Sequence, residues 1–482
     1  MSTMRKSLLH RFKLAVFLCL PLLASMGRSN LTAQPRTLIG LQYESFFTPK
    51  NAGSWETAEA IPILGKYSSY DVDVIKKHEE WFEFLGIDWL LLDWSNMLWM
   101  QPEWEEHKGA TKELEDTTDL LFKTYSQLVK EGKHPPKLVL MLGFQNGPPV
   151  PNATRRLNDI IAWTNRNFLA KAEYKNLWLN YHDKPLLTIL FNTPLPCGEL
   201  SELSKGVISS EWTVRWMGSQ LQDTHVEKCG FWSWMDGTIR QMVTYNDGVA
   251  EETVVTPACF PFPSTAHPYP SRRGWLDPQA VGKDHGAPYI ESWKTAFESR
   301  PTFIQIHQWN EFAGQKEGAG PAHDLYGDEY NLEFSDDIEP TQMDKCTFRD
   351  CGGWGYYYLN LTKAIISLYR QETPDITVTA LSGPLKGTVA RDQTLRLRWS
   401  TLGRPPSSYT VKVDGRTEAE GIQGESYQLD LSKIPAGKHQ VTLVAEGAYT
   451  YFDLAPEKLT HKSSKRLPVT STIELTNSSP SP

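Results

Sequence analysis

Cysteine is scarce in this chain. Six occur in 482 residues, and one of them, Cys19, falls in the N-terminal leader. No Cys-x-x-Cys and no His/Cys cluster at zinc spacing is present, which excludes a structural zinc module. No G-x-G-x-x-G follows the first candidate strand and no Walker A motif occurs anywhere, so nothing calls for a dinucleotide, a nucleotide or any other cofactor. Basic runs are missing beyond the N-terminus and the net charge is −8, which argues against a nucleic-acid partner. After the leader no apolar run is long enough to insert in a membrane.

The leader itself is well marked. Arg5, Lys6, Arg11 and Lys13 form a basic segment, residues 14–26 form an apolar one, and Ala33-Gln34 offers a cleavage point. Residues 1–33 therefore read as a signal peptide, with the mature chain secreted or periplasmic. Five cysteines remain, an odd number that excludes complete internal pairing; Cys346 and Cys351 are close enough to close a small loop. Tryptophan is abundant, at 17 residues. Many fall at expected strand ends, where flat rings stack on sugar faces, although core filling is the commoner use of the residue.

From Thr37 onward short apolar runs alternate with helical patterns, the mark of βα units. Strands are expected at 37–43, 87–93, 137–144, 186–191, 212–217, 230–234, 252–260 and 302–312. Asp71 and Ser69 are candidate caps for a helix running to Leu85, with Gly86 as its stop. Further helices are expected around 120–128, 157–170 and 356–370. Eight strands with intervening helices predict a (β/α)8 TIM barrel over residues 34–373, with a doubly wound sheet as the competitor.

Beyond Pro374 the texture changes. Six alternating segments, separated by turn residues such as Asp414-Gly415, predict an all-β immunoglobulin- or fibronectin-III-like sandwich over 374–476. A sugar-binding module and a rigid packing partner for the barrel are the two readings of it, and the lack of a cluster of exposed aromatics favours packing. The last residues, 477–482, are rich in Ser and Pro and read as a disordered tail.

In a (β/α)8 barrel chemistry gathers at the C-terminal ends of the strands. The residues expected there are Tyr43, Glu44, Asp93, Trp94, Gln145, Asn192, Trp234, Asp236, Trp309, Asn310 and Glu311. This set holds carboxylates, amides and aromatics, without the Ser/His or Cys/His pairing of acyl transfer and without a phosphate cradle. Breaking a glycosidic bond needs two carboxyl groups across the anomeric carbon, plus groups that grip hydroxyls and ring faces. Strand-end carboxylates also commonly tie loops, and Asp93 suits that role as well.

Several segments, taken in order, resemble the endo-α-mannosidase-like glycoside hydrolases of family 99 and the related WbsX-like proteins. They are Pro62 through Asp71, Gly86 through Trp94, Tyr181 through Leu187, Trp293 through Glu311, and Ile338-Glu339-Pro340. The resemblance spans most of the barrel and none of the sandwich. It implies a retaining glycosidase in which Glu311 matches the first of two glutamates three residues apart. The second position is Gly314 here, so the family's mechanism does not transfer. Residues 315–338 then carry Glu317, Asp324, Asp328, Glu329, Glu333, Asp336 and Asp337 ahead of Glu339. The second carboxyl is expected from this acidic stretch, from Glu339, or from another strand through Glu44 or Asp93.

The leading expectation is a hydrolase of glycosidic bonds in a polysaccharide or glycan. Catalytic candidates are Glu311, Asp93, Glu44 and Glu339. Substrate-binding candidates are Tyr43, Trp94, Gln145, Asn192, Trp234, Asp236, Trp309 and Asn310, with no metal site. The alternative, favoured by Gly314, is a non-catalytic glycan-binding protein on a degenerate barrel. A third reading is a metal-dependent hydrolase, but His78, His182, His225, His285 and His307 show no paired ligand spacing.

Overall fold

Apolar runs with alternating partners on both sides build the wall that positions the site. In the computed structural model, residues 36–49, 55, 58, 60–95, 107–144, 152–191, 197–219, 230–235, 241–258, 283–312, 335–342, 353–372, 376–382, 388–392, 394–448 and 469–476 are described. Residues Thr37–Pro482 form one compact unit. The leader, the barrel–sandwich boundary expected at 373/374, the tail, Cys346 and Cys351 lie outside the described residues.

Eight strands run parallel in one sheet: β1 (Leu38–Tyr43), β2 (Trp89–Trp94), β3 (Lys137–Phe144), β4 (Lys184–Phe191), β5 (Thr213–Ser219), β6 (Trp232–Met235), β7 (Val249–Val255) and β8 (Phe303–Ile306). Their order is β6–β5–β4–β3–β2–β1–β8–β7, with the short strand Thr244–Asn246 antiparallel on β7. First and last strands are therefore neighbours, as a wound barrel requires, and the open-sheet competitor is set aside. Side chains span the remaining gap between β6 and β7. Ser233 N donates to Glu252 Oε2 at 2.9 Å, and Trp232 Nε1 donates to Glu251 Oε2 at 2.7 Å.

Helices α1 (Val72–Leu85), α2 (Gly109–Lys130), α3 (Ala153–Thr164), α4 (Cys197–Lys205), α5 (Ala287–Ser299) and α6 (Tyr357–Tyr369) accompany the wall. Helix α1 shows how sequence fixes its ends. Asp71 accepts the Asp73 amide at 2.9 Å as N-cap, a bond of about 1 kcal/mol. Gly86 adopts φ 80° and its N–H closes the last turn onto Phe82 and Glu83, a conformation that glycine takes at little strain. Trp81, Phe82 and Leu85 bury completely against the wall. Cys197, at the start of α4, is disulfide-bonded.

Two periodicities divide the barrel's packing. On β1, Ile39, Leu41 and Tyr43 join the outer core beneath the helices, and on β2 Leu90, Leu92 and Trp94 do the same. Trp89, Leu91, Val139, Met141, Leu190, Trp232 and Phe303 belong to a separate cluster inside the ring. Gly40 is required by that filling: a Cβ there would lie 2.0 Å from the Trp89 ring. Toward the N-terminal end of the interior a polar knot completes the plug. Arg215 gives two bonds of 2.8 Å to Glu251, which also receives Tyr181 Oη at 2.8 Å.

The C-terminal region consists of two β-sheets that share an apolar core. β9 (Thr377–Ser382), β11 (Thr394–Gly403) and β14 (Ser426–Asp430) form an antiparallel three-stranded sheet. β10 (Thr388–Ala390), β12 (Ser408–Val413), β13 (Arg416–Ile422), β15 (Gly437–Glu446) and β16 (Val469–Thr476) form the second, in the order β10–β16–β15–β12–β13. Leu381, Leu397 and Trp399 from one sheet meet Val411, Leu443 and Ile473 from the other. Tyr357 Oη on α6 lies 3.0 Å from Thr379 O on β9 and 2.6 Å from His285 O, which fastens this region to the barrel.

Candidate active site

The interior positions of three adjacent strands turn polar together at their C-terminal ends. On β1 the inward series Leu38, Gly40 ends in Gln42 and then Glu44. On β2, Trp89 and Leu91 are followed by Asp93. On β8, Phe303 and Gln305 are followed by His307. The register pairs Gln42 with Leu91 and Leu41 with Ile306, so Gln42 falls beside His307 and Glu44 beside Asp93, two successive rows that form one polar level.

Gln42 stands at the centre of that level and is fully buried. Its Nε2 donates to Glu44 Oε1 at 2.9 Å and to Asp93 Oδ2 at 3.0 Å. Its Oε1 lies 2.7 Å from His307 Nδ1. A carboxylate only accepts, so the amide nitrogen must face the two acids and the oxygen must face the ring. His307 Nδ1 therefore carries the proton. On the other side of the ring, Nε2 lies 3.8 Å from Asp336 Oδ2. Asp93 also accepts the Ser95 amide at 2.6 Å through Oδ1. Gly143 on β3 leaves room for that turn: a Cβ there would lie 1.8 Å from Ser95 O.

Glu311 approaches from the loop after β8, 7% exposed, with Gln308 Nε2 donating to its Oε2 at 2.7 Å. Asp337 fixes that loop. Its carboxylate receives the amides of Glu311 at 2.5 Å and Phe312 at 3.0 Å, and Ser335 Oγ at 2.7 Å. Burial nevertheless pushes the Asp337 carboxyl up to about 6, outweighing these donors and the nearby Lys283. The Lys283 ammonium donates to Asp337 O at 2.9 Å and sits 3.5 Å above the Trp354 ring.

Asn310 ties the two strand ends together. Its Oδ1 accepts Glu44 N at 2.9 Å and its Nδ2 donates to Glu44 O at 3.0 Å and to Tyr67 Oη at 2.9 Å. Tyr67 in turn donates to Glu339 Oε2 at 2.8 Å.

The structure thus brings Glu44, Asp93 and Asn310 together, with Glu311 next to Asn310 in the loop after β8, and sets several other expected residues elsewhere. Glu339 is fully buried outside the barrel wall, held by Tyr67 Oη and 3.1 Å from His78 Nε2. Tyr43 also faces outward, with Oη 3.2 Å from His78 Nδ1, and burial raises its pKa. Trp94 points to α2, donating to Thr118 Oγ1 at 2.9 Å. Trp309 packs its ring edge-to-face on Phe82 of α1, 4.8 Å between centroids. The physical reason is strand parity: Tyr43 follows the inward Gln42, and Trp94 follows the inward Asp93. Trp234 does lie inside, fully buried and edge-on to His307 at 5.0 Å, as floor beneath the polar level. Gln145, Asn192, Asp236, Gly314 and residues 315–334 lie outside the described residues.

Gln42, His307 and Asp336 are the structural partners that residue-by-residue reading of strand ends passes over. Their signal is the shared switch from apolar to polar on the inward face of β1, β2 and β8. Among the described residues no group of three or more His, Cys, Asp or Glu is arranged to hold a metal ion, and no helix is long and apolar enough to cross a membrane.

No family model matches the sequence, and no curated protein matches it. Solved structures do. A family 99 endo-α-mannosidase from Bacteroides thetaiotaomicron is 16% identical with a TM-score of 0.46, covering 69% of this chain and 97% of that one. A glycoside hydrolase-like protein is 10% identical with a TM-score of 0.42, covering 69% and 94%. Fibronectin(III)-like modules of CbhA from Clostridium thermocellum are 16% identical with a TM-score of 0.15, covering 21% of this chain and 98% of theirs. Family 99 is also the resemblance read in the sequence motifs.

Proposed function

We propose that this chain is a secreted or periplasmic glycoside hydrolase acting on a polysaccharide or glycan. Glu44, Asp93 and Glu311 are its reacting or substrate-gripping carboxyl groups. The observation that carries this reading is the meeting of the Glu44 and Asp93 carboxylates on the single Gln42 amide at the C-terminal ends of β1 and β2, with Glu311 following in the loop after β8. Acetal cleavage needs a proton donor and a carboxylate within one sugar's width, and this cluster offers both. Gln145, Asn192 and Asp236 belong to the same reading as hydroxyl-binding groups on the other strand ends. The two-sheet region is an immunoglobulin- or fibronectin-III-like sandwich that braces the barrel through β9 and α6.

The test is release of reducing ends from a panel of polysaccharides and glycans. Glu311→Gln, Glu44→Gln and Asp93→Asn each lower kcat/KM by about 100-fold or more with circular dichroism unchanged. Near-normal turnover in all three variants removes the assignment. Binding of glycans without any release transfers the chain to the glycan-binding alternative.

A further inference from the structure

The two N–H bonds of a primary amide diverge by about 120°, and each points at one acceptor. Gln42 directs them at Glu44 Oε1, 2.9 Å away, and at Asp93 Oδ2, 3.0 Å away. Two acceptors on one NH2 group at those lengths lie about 5 Å from each other. Carboxyl groups about 5–5.5 Å apart are those of double displacement with retention, whereas about 6.5–9.5 Å leaves room for the water of inversion.

We propose that Gln42 is a positioning residue that sets Glu44 and Asp93 at the spacing of a retaining pair, with Asp93 as nucleophile and Glu44 as acid and base. This rests on the glycosidase reading and assigns the second carboxyl to β1 and β2. It differs from a pair of glutamates in the loop after β8, and it leaves Glu311 to grip a sugar hydroxyl.

Three observations support the assignment. First, the amide cannot rotate without loss. Its Oε1 lies 2.7 Å from His307 Nδ1, and turning it over would set an oxygen against the Asp93 carboxylate and take the shared donor away from both acids. Second, the backbone beneath both acids is fixed independently. Asn310 holds the N–H and C=O of Glu44, and the Ser95 amide holds Asp93 Oδ1. Third, Asp93 receives donors at both oxygens, which suits the group that must attack as an anion, while Glu44 is the more buried of the two. The charged or titratable groups around the amide are Glu44 after β1, Asp93 on β2, His307 after β8, and Asp336 behind His307. Glu311 follows in the next loop.

The chemistry balances without any co-reactant other than water. An Asp93 oxygen lone pair forms a bond to the anomeric carbon as the glycosidic C–O bond breaks, and the Glu44 carboxyl gives its proton to the departing oxygen. Water then attacks the same carbon, losing its proton to the Glu44 carboxylate, and the bond to Asp93 breaks. Both carboxyl groups return to their starting states.

The experiment combines product stereochemistry with variants at Gln42. Proton NMR of the first product formed by the wild type shows the starting anomeric configuration. Gln42→Met and Gln42→Glu both lower kcat by about 100-fold or more while KM moves by less than about fivefold. In Gln42→Glu the added carboxylate shifts the alkaline limb of the kcat–pH profile upward by about one unit or more. Circular dichroism and thermal melting select variants that fold, and Gln42→Glu keeps an acceptor for His307 where Gln42→Met does not. Inversion of configuration overturns the proposal, as does a folded Gln42 variant with kcat within threefold of wild type and an unmoved limb. In those cases the hydrolysis itself stands. A wild type that hydrolyses no glycan overturns the glycosidase reading and the roles of the pair together.

Discussion

Asn310 pairs with Glu44 as a neighbouring strand residue would, accepting its N–H and donating to its C=O through a side-chain amide. The β1–β8 ladder is thereby extended past the point where β8 ends at Ile306. Asn310→Ala removes both bonds and the one to Tyr67. It lowers stability by about 1–3 kcal/mol in chemical denaturation and lowers kcat more than Asn310→Ala's effect on melting alone explains. An Asn310→Ala enzyme with unchanged kcat shows that Glu44 is held by other means.

Asp337 gives a pH dependence of defined sign. Its carboxyl is raised from an ordinary 3.8 to about 6, so between those values the folded chain binds more protons than the unfolded one. Its contribution is therefore fully present below the unfolded pKa and is lost as pH rises toward 6. A shift of that size corresponds to about 3 kcal/mol at most. Denaturant unfolding of wild type and Asp337→Asn from pH 3.5 to 7.5 checks this. The stability difference, wild type minus variant, declines over pH 4–6 and is flat above. A difference that grows with pH contradicts it.

Arg215 and Glu251 lie inside the barrel, with side-chain exposures of 15% and 2%. Burial alone would raise the Glu251 pKa. Bonds from Arg215, Trp232 and Tyr181 outweigh burial and hold it below the usual range. Its stabilising share is present above the unfolded pKa and is lost as pH falls through the folded one. Glu251→Gln strands a guanidinium and lowers stability by about 3–5 kcal/mol, whereas Arg215→Met with Glu251→Leu recovers most of that. A double-mutant cycle by urea unfolding measures the coupling, and additive effects sink this account.

Gly40→Ala drives a methyl group into the Trp89 ring, which sits 2.0 Å from the added Cβ. The variant loses about 3 kcal/mol or more, and Trp89→Leu in the same chain restores part of it by vacating that volume. Thermal unfolding of the single and double variants decides. A stable Gly40→Ala protein means the barrel interior repacks freely.

Local pattern made much of the barrel legible. Lys137–Phe144 is an apolar run bounded by turns, and it forms β3 with the bounds its sequence predicts. Asp71 and Gly86 mark the two ends of α1 because caps are local chemistry. β7 was displaced: the expected 252–260 became Val249–Val255, since Glu251 and Glu252 point into the ring and disguise the strand as polar. Of the stretch 302–312 only Phe303–Ile306 is strand, and the rest turns along residues 335–342 through amide bonds such as Glu339 N to Trp309 O at 3.0 Å. In the second region β10 and β13 were not anticipated. β10 is a three-residue strand, and β13, Arg-Thr-Glu-Ala-Glu-Gly-Ile, is exposed at a sheet edge and carries little apolar alternation.

At the site, Glu44, Asp93 and Glu311 could be named from strand ends alone. Gln42 could not, because a lone inward glutamine has no meaning until the residues level with it on β2 and β8 are known. The outward facing of Tyr43 and Trp94 was available from parity, since adjacent strand residues face opposite sides. The association of Asp336 and Asp337 with His307 and Glu311 was not available, for it depends on a chain return that no local pattern encodes.

The wall's ladder joins β1 directly to β8, and the polar level spans residues 42 to 336. During synthesis Glu44 and Asp93 leave the ribosome more than two hundred residues before His307 and Asn310. A nascent or C-terminally clipped chain that has folded β1 through β7 holds Glu44 and Asp93 without His307 or Asn310 to set them. Under the proposed glycosidase reading, turnover therefore reports completion of the ring, and a chain stalled before its last strand is silent before it is unfolded.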